Sequence, residues 1–251
     1  MRDYLAWRLA FGVTTPSTNT VVQPEYDDFR PEGVTNHIAR MVIADNPVTC
    51  DADFEKQLED INSSLEDAVD RVMDAKPNAF ILGISALSVW GGTIEWGEEL
   101  KRRVRKVAGW DIPVTISSDA VVAGLKALGI KKKIAVMEPY YPCIEPRIKG
   151  VLGAHGYEIV RFCHMRGKSP ASYSVLTAQD MIKAARSIDG DDVEALVAFG
   201  ANLPFAKLAD EAERWLNKPV LQINATTYWH ALRTNGINDK IYGYGQLLAR
   251  F

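Results

Sequence analysis

Residues 194–204, EALVAFGANLP, are an apolar run of strand length that stops at Gly200, Ala201, Asn202 and a proline. Residues 78–88, NAFILGISALS, repeat the pattern, with the run ending at Gly83 and small residues. A short, uninterrupted apolar run of this kind reads as a strand covered on both faces, the setting of a parallel sheet. Two further segments share another pattern: 8–19, RLAFGVTTPSTN, and 133–143, KIAVMEPYYPC, each set a basic residue, an apolar strand and a polar loop containing proline. The strand ends pair off along the chain, 13 with 83 (70 positions apart) and 137 with 200 (63 apart). That spacing reads as one α/β unit used twice.

Outward from these segments, strand-length runs at 9–13, 38–43, 79–84, 114–116, 134–137, 157–162, 195–199 and 220–223 alternate with stretches of helical period. The clearest helices are 53–75, where Phe54, Leu58, Ile61, Leu65 and Val69 recur every three or four residues, and 118–128, opened by Ser-Ser-Asp and closed by Gly129. The expected fold is therefore α/β, two pseudo-symmetric lobes each with a parallel sheet flanked by helices. The lobes are placed at 1–112 plus 225–251, and at 113–224. Because parallel sheets bind ligands at the carboxyl ends of their strands, the four loops should meet in one cleft between the lobes.

Composition narrows the function. The 251 residues are 47% hydrophobic and 24% charged, with a net charge of -3 and acidic and basic residues interspersed, so no nucleic-acid footprint is present. The one basic run, Lys131-Lys132-Lys133, reads as a solvated helix end. The amino-terminal MRDYLAWRLAFGV has too short an apolar core and too many charges for a signal peptide or membrane span, which makes a cytoplasmic protein without a membrane partner the default. Three cysteines, Cys50, Cys143 and Cys163, lack any CxxC spacing, and the four histidines lack HxH or HxxxH, so neither a disulfide framework nor a metal site is expected. Neither GxxxxGK[ST] nor GxGxxG opens a helix, which disfavours a nucleotide; no cofactor is expected.

The loops carry the chemistry. Residues 14–20 pack five hydroxyls and the Asn19 carboxamide, donors suited to a carboxylate, or simply a turn and a helix cap. Gly83 and Ser85 stand where backbone amides can approach an anion, and a helix should begin near Thr93. The third loop holds Glu138, Tyr140, Tyr141, Cys143 and Glu145 within eight residues. Of these, Tyr140 is the expected catalytic group, as a donor to an oxyanion or a carrier of a proton. Glu138 and Cys143 are secondary candidates, together with Asp119 at a helix start. Gly200 and Ala201 offer amides and Asn202 a carboxamide; Gly200 could equally be required for steric reasons.

Taken together, PSTN after the first strand, GIS, SSDAVVAGLKALGIKKKIAVMEPYY, LVAFGANLP, PVLQINATTYWHAL and YGYGQLL resemble the maleate isomerase and arylmalonate decarboxylase branch of the aspartate/glutamate racemase superfamily. The resemblance spans nearly the whole chain and implies two α/β lobes with the site between them. It also implies a cysteine on the loop after the third strand of each lobe, where this chain has Gly83 (or Ile84) and Gly200. The decarboxylases resemble this chain in having glycine at the first position but keep a cysteine at the second.

What the resemblance leaves is a cradle for one carboxylate, with Asn19, Ser85, Tyr140, Gly200 and Ala201 as donors and Ile84 in place of a family threonine. The implied activity is a cofactor-independent lyase or isomerase acting on a small carboxylate or dicarboxylate through an enediolate, with Tyr140 or a water handling the proton. Two alternatives stay open: a hydrolase in which Asp119 or Glu138 orients water, and a non-catalytic carboxylate-binding protein. A homo-oligomer is also left open.

Overall fold

The computed structural model describes residues 4–251 and consists of two four-stranded sheets with helices on their faces. In the first half, β1 (Leu9–Pro16), α1 (Val22–Phe29), β2 (Val34–Met41), α2 (Asp51–Ser63), α3 (Leu65–Met73) and β3 (Ala79–Leu82) are followed by α4 (Ser85–Val89), α5 (Ile94–Ala108), β4 (Val114–Thr115) and α6 (Ser117–Ala127). In the second half come β5 (Lys133–Glu138), α7 (Glu145–Ala154), β6 (Glu158–His164), α8 (Ala178–Ile188) and β7 (Ala195–Ala198), then α9 (Ala206–Leu216), β8 (Val220–Gln222), α10 (Ile223–Thr234) and α11 (Gln246–Arg250).

The sheets run β2-β1-β3-β4 and β6-β5-β7-β8, and every strand pair is parallel. The two orders are the same permutation, so the duplication read from the strand ends extends to topology. In that permutation the chain turns one way after β1 and the other way from β3, which puts the switch point between them, and likewise between β5 and β7. The loops leaving these four strands are the four singled out by sequence.

Two expectations need correction. The strand at 114–116, placed in the lobe 113–224, is β4 and pairs with β3, so the first sheet extends beyond 112. The segment after β8 returns the other way: α10 packs on β3, β4 and α1. The helix expected over 53–75 is two helices broken at Ser64, whose hydroxyl bonds the Ile61 carbonyl (3.1 Å) and whose backbone leaves helical geometry (φ -100°, ψ 7°). The break forfeits about 1 kcal/mol of hydrogen bonding. Each apolar side chain buried beneath it gains roughly 1.5–3 kcal/mol, and Phe54, Leu58, Ile61, Leu65 and Val69 all stay buried.

The helix expected to open on Ser-Ser-Asp is α6, which instead starts at Ser117 after Ile116 with no side-chain cap, whereas the helix expected near Thr93 is capped as read. Thr93 accepts from the Trp96 amide at 3.3 Å and Gly109 closes α5 at φ 77°. The Lys131–Lys133 run follows Gly129 at the end of α6, and its three amides grip the Glu194 carboxylate at 2.8–2.9 Å. No helix among the described residues is long and apolar enough to cross a membrane.

Candidate active site

β1 continues to Pro16, so Thr14 and Thr15 are strand residues; their buried hydroxyls have no hydrogen-bond partner among the described residues. The chain turns at Pro16, where the Asn19 amide bonds the Pro16 carbonyl at 3.0 Å. The Asn19 Oδ1 then accepts from the amides of Val21 and Val22 (both 2.9 Å), capping the start of α1. With Oδ1 fixed in this way, the Asn19 Nδ2 makes no hydrogen bond among the described residues, and Asn19 lines a cavity.

That cavity is a cleft partly open to solvent, with ≈ 330 Å³ of empty space that includes the open side. It is walled by the loop after β1 (Pro16, Thr18, Asn19), the start of α4 (Ile84, Ala86), Tyr140, and the loop after β7 (Ala201, Asn202), and is closed by Gln57, Leu58 and Ile61 of α2 with Pro170 and Tyr173. No lysine, arginine, histidine, aspartate or glutamate lines it. The backbone amides of Ile84, Ala86 and Asn202, all from lining residues, make no hydrogen bond among the described residues. An anion here would be held by neutral dipoles.

Its polar corner is Tyr140. The phenol is 2.9 Å from the Ser85 hydroxyl, which in turn accepts from the Ala201 amide at 3.1 Å. Ser85 begins α4 and Ala201 follows β7, so this contact joins the third-strand loops of both lobes. Tyr140 stacks on Phe54 (centroids 5.1 Å apart, 27° between planes) and meets the edge of Tyr173 (5.5 Å, 81°). Burial, and then the charge of Glu138, push its pKa upward against the opposing Ser85 hydrogen bond. The ring therefore stays a phenol, a donor rather than a base.

Beneath Tyr140 lies a buried ionisable chain. Fully buried Glu138 accepts from the Tyr140 amide with one oxygen and meets Nδ1 of His164 with the other, while His164 Nε2 lies 3.1 Å from Glu145. Burial raises the Glu138 pKa despite His164; the hydrogen bond to Glu138 raises that of His164. Both shifts favour a proton retained on the pair.

The remaining expected residues take other places. Gly83 does not line the cavity: its amide bonds the Thr14 carbonyl at 2.7 Å, and a Cβ there would stand 2.9 Å from that oxygen. Gly200 is steric too, for a Cβ would lie 2.6 Å from Cδ of Pro139. Asn202 lines the cavity, but its carboxamide is used at both ends, by the Thr20 amide and the Pro170 carbonyl (3.0 Å each), so it clamps three loops together. Asp119 is paired with Lys101 at 2.8 Å, and neither it nor Glu138 lines the cavity. Cys143 lies outside as well, its thiol pushed up to about 12 by burial and the nearby Asp51 and Glu55.

Sequence reasoning missed Gln57, Tyr173, Pro170 and the Glu138–His164 contact. Only Gln57 left a signal: it occupies a position of the α2 stripe that the period reserves for an apolar residue.

Comparison with known proteins follows from this geometry. Residues 51–248 match the family model described as arylmalonate decarboxylase. The chain is similar to the maleate isomerase of Alcaligenes faecalis, 22% identical over 250 residues that cover 95% of each chain. Among solved structures, the maleate cis-trans isomerase of Nocardia farcinica with a covalently bound succinylcysteine intermediate superposes with a TM-score of 0.86, at 24% identity and over 97% of this chain and 99% of that one. An arylmalonate decarboxylase superposes at 0.73, with 18% identity over 95% and 98%.

Proposed function

The chain belongs to the arylmalonate decarboxylase family, and from that premise we propose that it is a cofactor-independent lyase or isomerase that generates and protonates an enediolate from a small carboxylic acid. Maleate isomerase and arylmalonate decarboxylase relatives support an isomerase or decarboxylase. The observation that carries the finer reading is the contact of Tyr140, Ser85 and the Ala201 amide at the corner of a cavity lined only by neutral groups.

In such a cleft one carboxylate sits against the Asn19 carboxamide and the unused amides. As the bond to the departing group breaks, its electron pair moves onto the retained carboxylate, and the fixed donors stabilise the added charge without reorganising. The carbon then takes its proton from the Tyr140 phenol or a water beside it, and the phenolate is held meanwhile by Ser85. A phenol of raised pKa is a weak acid, adequate for a strongly basic carbanion.

Thiolate addition, the route implied by the succinylcysteine of the Nocardia protein, finds no sulfur among the lining residues. Proton transfer at carbon is accordingly favoured over addition to a double bond. Tyr140→Phe should lower turnover at least tenfold while the unfolding midpoint stays close to that of the native protein. The assay follows product by NMR across malonates, maleate and amino acids. Undiminished turnover in the variant would remove Tyr140 from the chemistry, and saturable binding without product would identify a binding protein.

A further inference from the structure

The loop after β7 is held by three polar side chains that do not line the cavity. Glu25 lies on α1, Gln222 ends β8 and Asn224 sits in the first turn of α10. The Glu25 carboxylate accepts from both carboxamides with Oε2, from Asn224 Nδ2 at 2.7 Å and Gln222 Nε2 at 3.3 Å, and from the Ala206 amide with Oε1 at 3.3 Å. Each carboxamide then spends a second N–H on the loop: Asn224 Nδ2 donates to the Ala201 carbonyl at 3.0 Å, and Gln222 Nε2 to the Leu203 carbonyl at 3.4 Å. Neither carboxamide is free to turn over. Gln222 Oε1 accepts from the Ala225 amide at 2.8 Å, which leaves its nitrogen for Glu25, and the two acceptors around Asn224 Nδ2 require a donor there. Both side chains are buried, where an unpaired amide group is costly. One carboxylate thus fixes the loop at Ala201, Leu203 and Ala206.

Ala201 connects this clamp to the site. Its carbonyl is held by Asn224, and its amide donates to Ser85 Oγ at 3.1 Å, itself 2.9 Å from the Tyr140 hydroxyl. We propose that Glu25 is a positioning residue of the active site, acting through Asn224 and Ala201 to keep the Ser85 hydroxyl set against the Tyr140 phenol. An amide donating into Ser85 Oγ makes its O–H the stronger donor to the phenolate that forms when Tyr140 gives up its proton. A carboxamide at position 25 cannot do the same work. It has one acceptor oxygen, and its NH₂ would face either the Ala206 amide or the two carboxamide nitrogens, donor against donor. The inference rests on the reading of Tyr140 and Ser85 as the reacting corner and adds what holds that corner in place.

The test uses the full chain and two readouts. By NMR, hydrogen exchange of the Ala201 amide should quicken at least about fivefold in Glu25→Gln, beyond any change shared by the amides of β1 and β5, which report global stability. In turnover of whichever malonate, maleate or amino acid the native protein consumes fastest, the same variant should lower kcat at least about fivefold and leave KM within about threefold. In a Ser85→Ala background Glu25→Gln should change kcat by less than about twofold, although Glu25 and Ser85 share no hydrogen bond. Asn224→Ala cuts the link at its middle; it should reproduce both effects, and it serves if Glu25→Gln fails to fold.

An Ala201 amide that exchanges only in step with the strands, or a kcat loss as large without Ser85 as with it, would overturn the positioning role of Glu25 while leaving Tyr140 and Ser85 in the chemistry. Turnover of none of these acids would instead count against the catalytic reading itself, and the inference would fall with it.

Discussion

At the scale of single residues, the two glycines where the resemblance implies cysteines are required by their neighbours. A Cβ on Gly200 would sit 2.6 Å from Cδ and 3.0 Å from Cγ of Pro139, a ring that cannot swing aside. One on Gly83 would meet the Thr14 carbonyl at 2.9 Å. A thiol at either position thus needs a reshaped backbone as well as a mutation. Gly200→Ala should destabilise the protein by about 1–3 kcal/mol, the usual cost of overpacking. Gly153→Ala is the control: it lies within α7, its Cβ would meet no atom within 4 Å, and the change should be stabilising by up to about 1 kcal/mol. Urea unfolding of the two variants gives the comparison, and equal stabilities would mean that Pro139 yields more readily than its position indicates.

At the scale of elements, the strand β5 and its loop are held through His164 on β6. Glu138 is buried with the Tyr140 amide on one oxygen and His164 on the other, and a buried charge stripped of its partner costs about 3–5 kcal/mol. His164→Leu should show a loss of that order in denaturant unfolding. The double variant Glu138→Gln with His164→Gln should recover most of it, since one carboxamide can accept from Tyr140 and donate to the other. A double variant as unstable as the single one would locate the cost in packing instead of charge. The same pair marks the limit of what sequence offered. The strands β1, β3, β5, β7 and β8 were legible because a strand covered on both faces is a continuous apolar run, whereas the edge strands β2 and β6, only partly buried and carrying polar residues, were read with shifted bounds; Ser85 and Tyr140 were legible because loops at strand ends are where ligands go. Glu138 and His164 meet only through the β5–β6 register, and Tyr173 reaches the cavity from a short 3₁₀ turn, Ala171–Val175, too brief for any periodicity to mark. The break at Ser64 stayed hidden because the apolar period runs straight through it.

At the scale of the whole molecule, the lobes are joined by polar seams as well as by the core. On one side Arg147 of α7 bonds the Trp90 carbonyl at 2.8 Å and Glu55 of α2 at 3.0 Å. On the other, Glu25 of α1 accepts from the Ala206 amide (3.3 Å) at the start of α9, from Gln222 (3.3 Å) and from Asn224 (2.7 Å). Burial of that carboxylate, opposed by these three donors, raises its pKa from 4.5 to about 7. The native state therefore holds a proton that the unfolded chain has already released above pH 4.5, and stability from this group, complete below that pH, is lost as pH rises through about 7. His230 acts in the opposite sense: burial lowers its pKa, so its penalty is greatest in acid and fades as pH rises. His164, raised by its hydrogen bond to Glu138, contributes stability that is complete in acid and is lost as pH rises through its raised pKa. Overlapping titrations make the wild-type profile alone uninformative, and a variant separates them. Glu25→Gln loses part of the seam at every pH, yet the difference in unfolding free energy between pH 5 and pH 8 should be markedly smaller than in the native protein, because the proton that distinguishes the two conditions is gone. Urea unfolding at the two pH values measures both slopes, and parallel profiles would show that Glu25 is already ionised at pH 5 and that the seam works as an ordinary charge-assisted cap on α9.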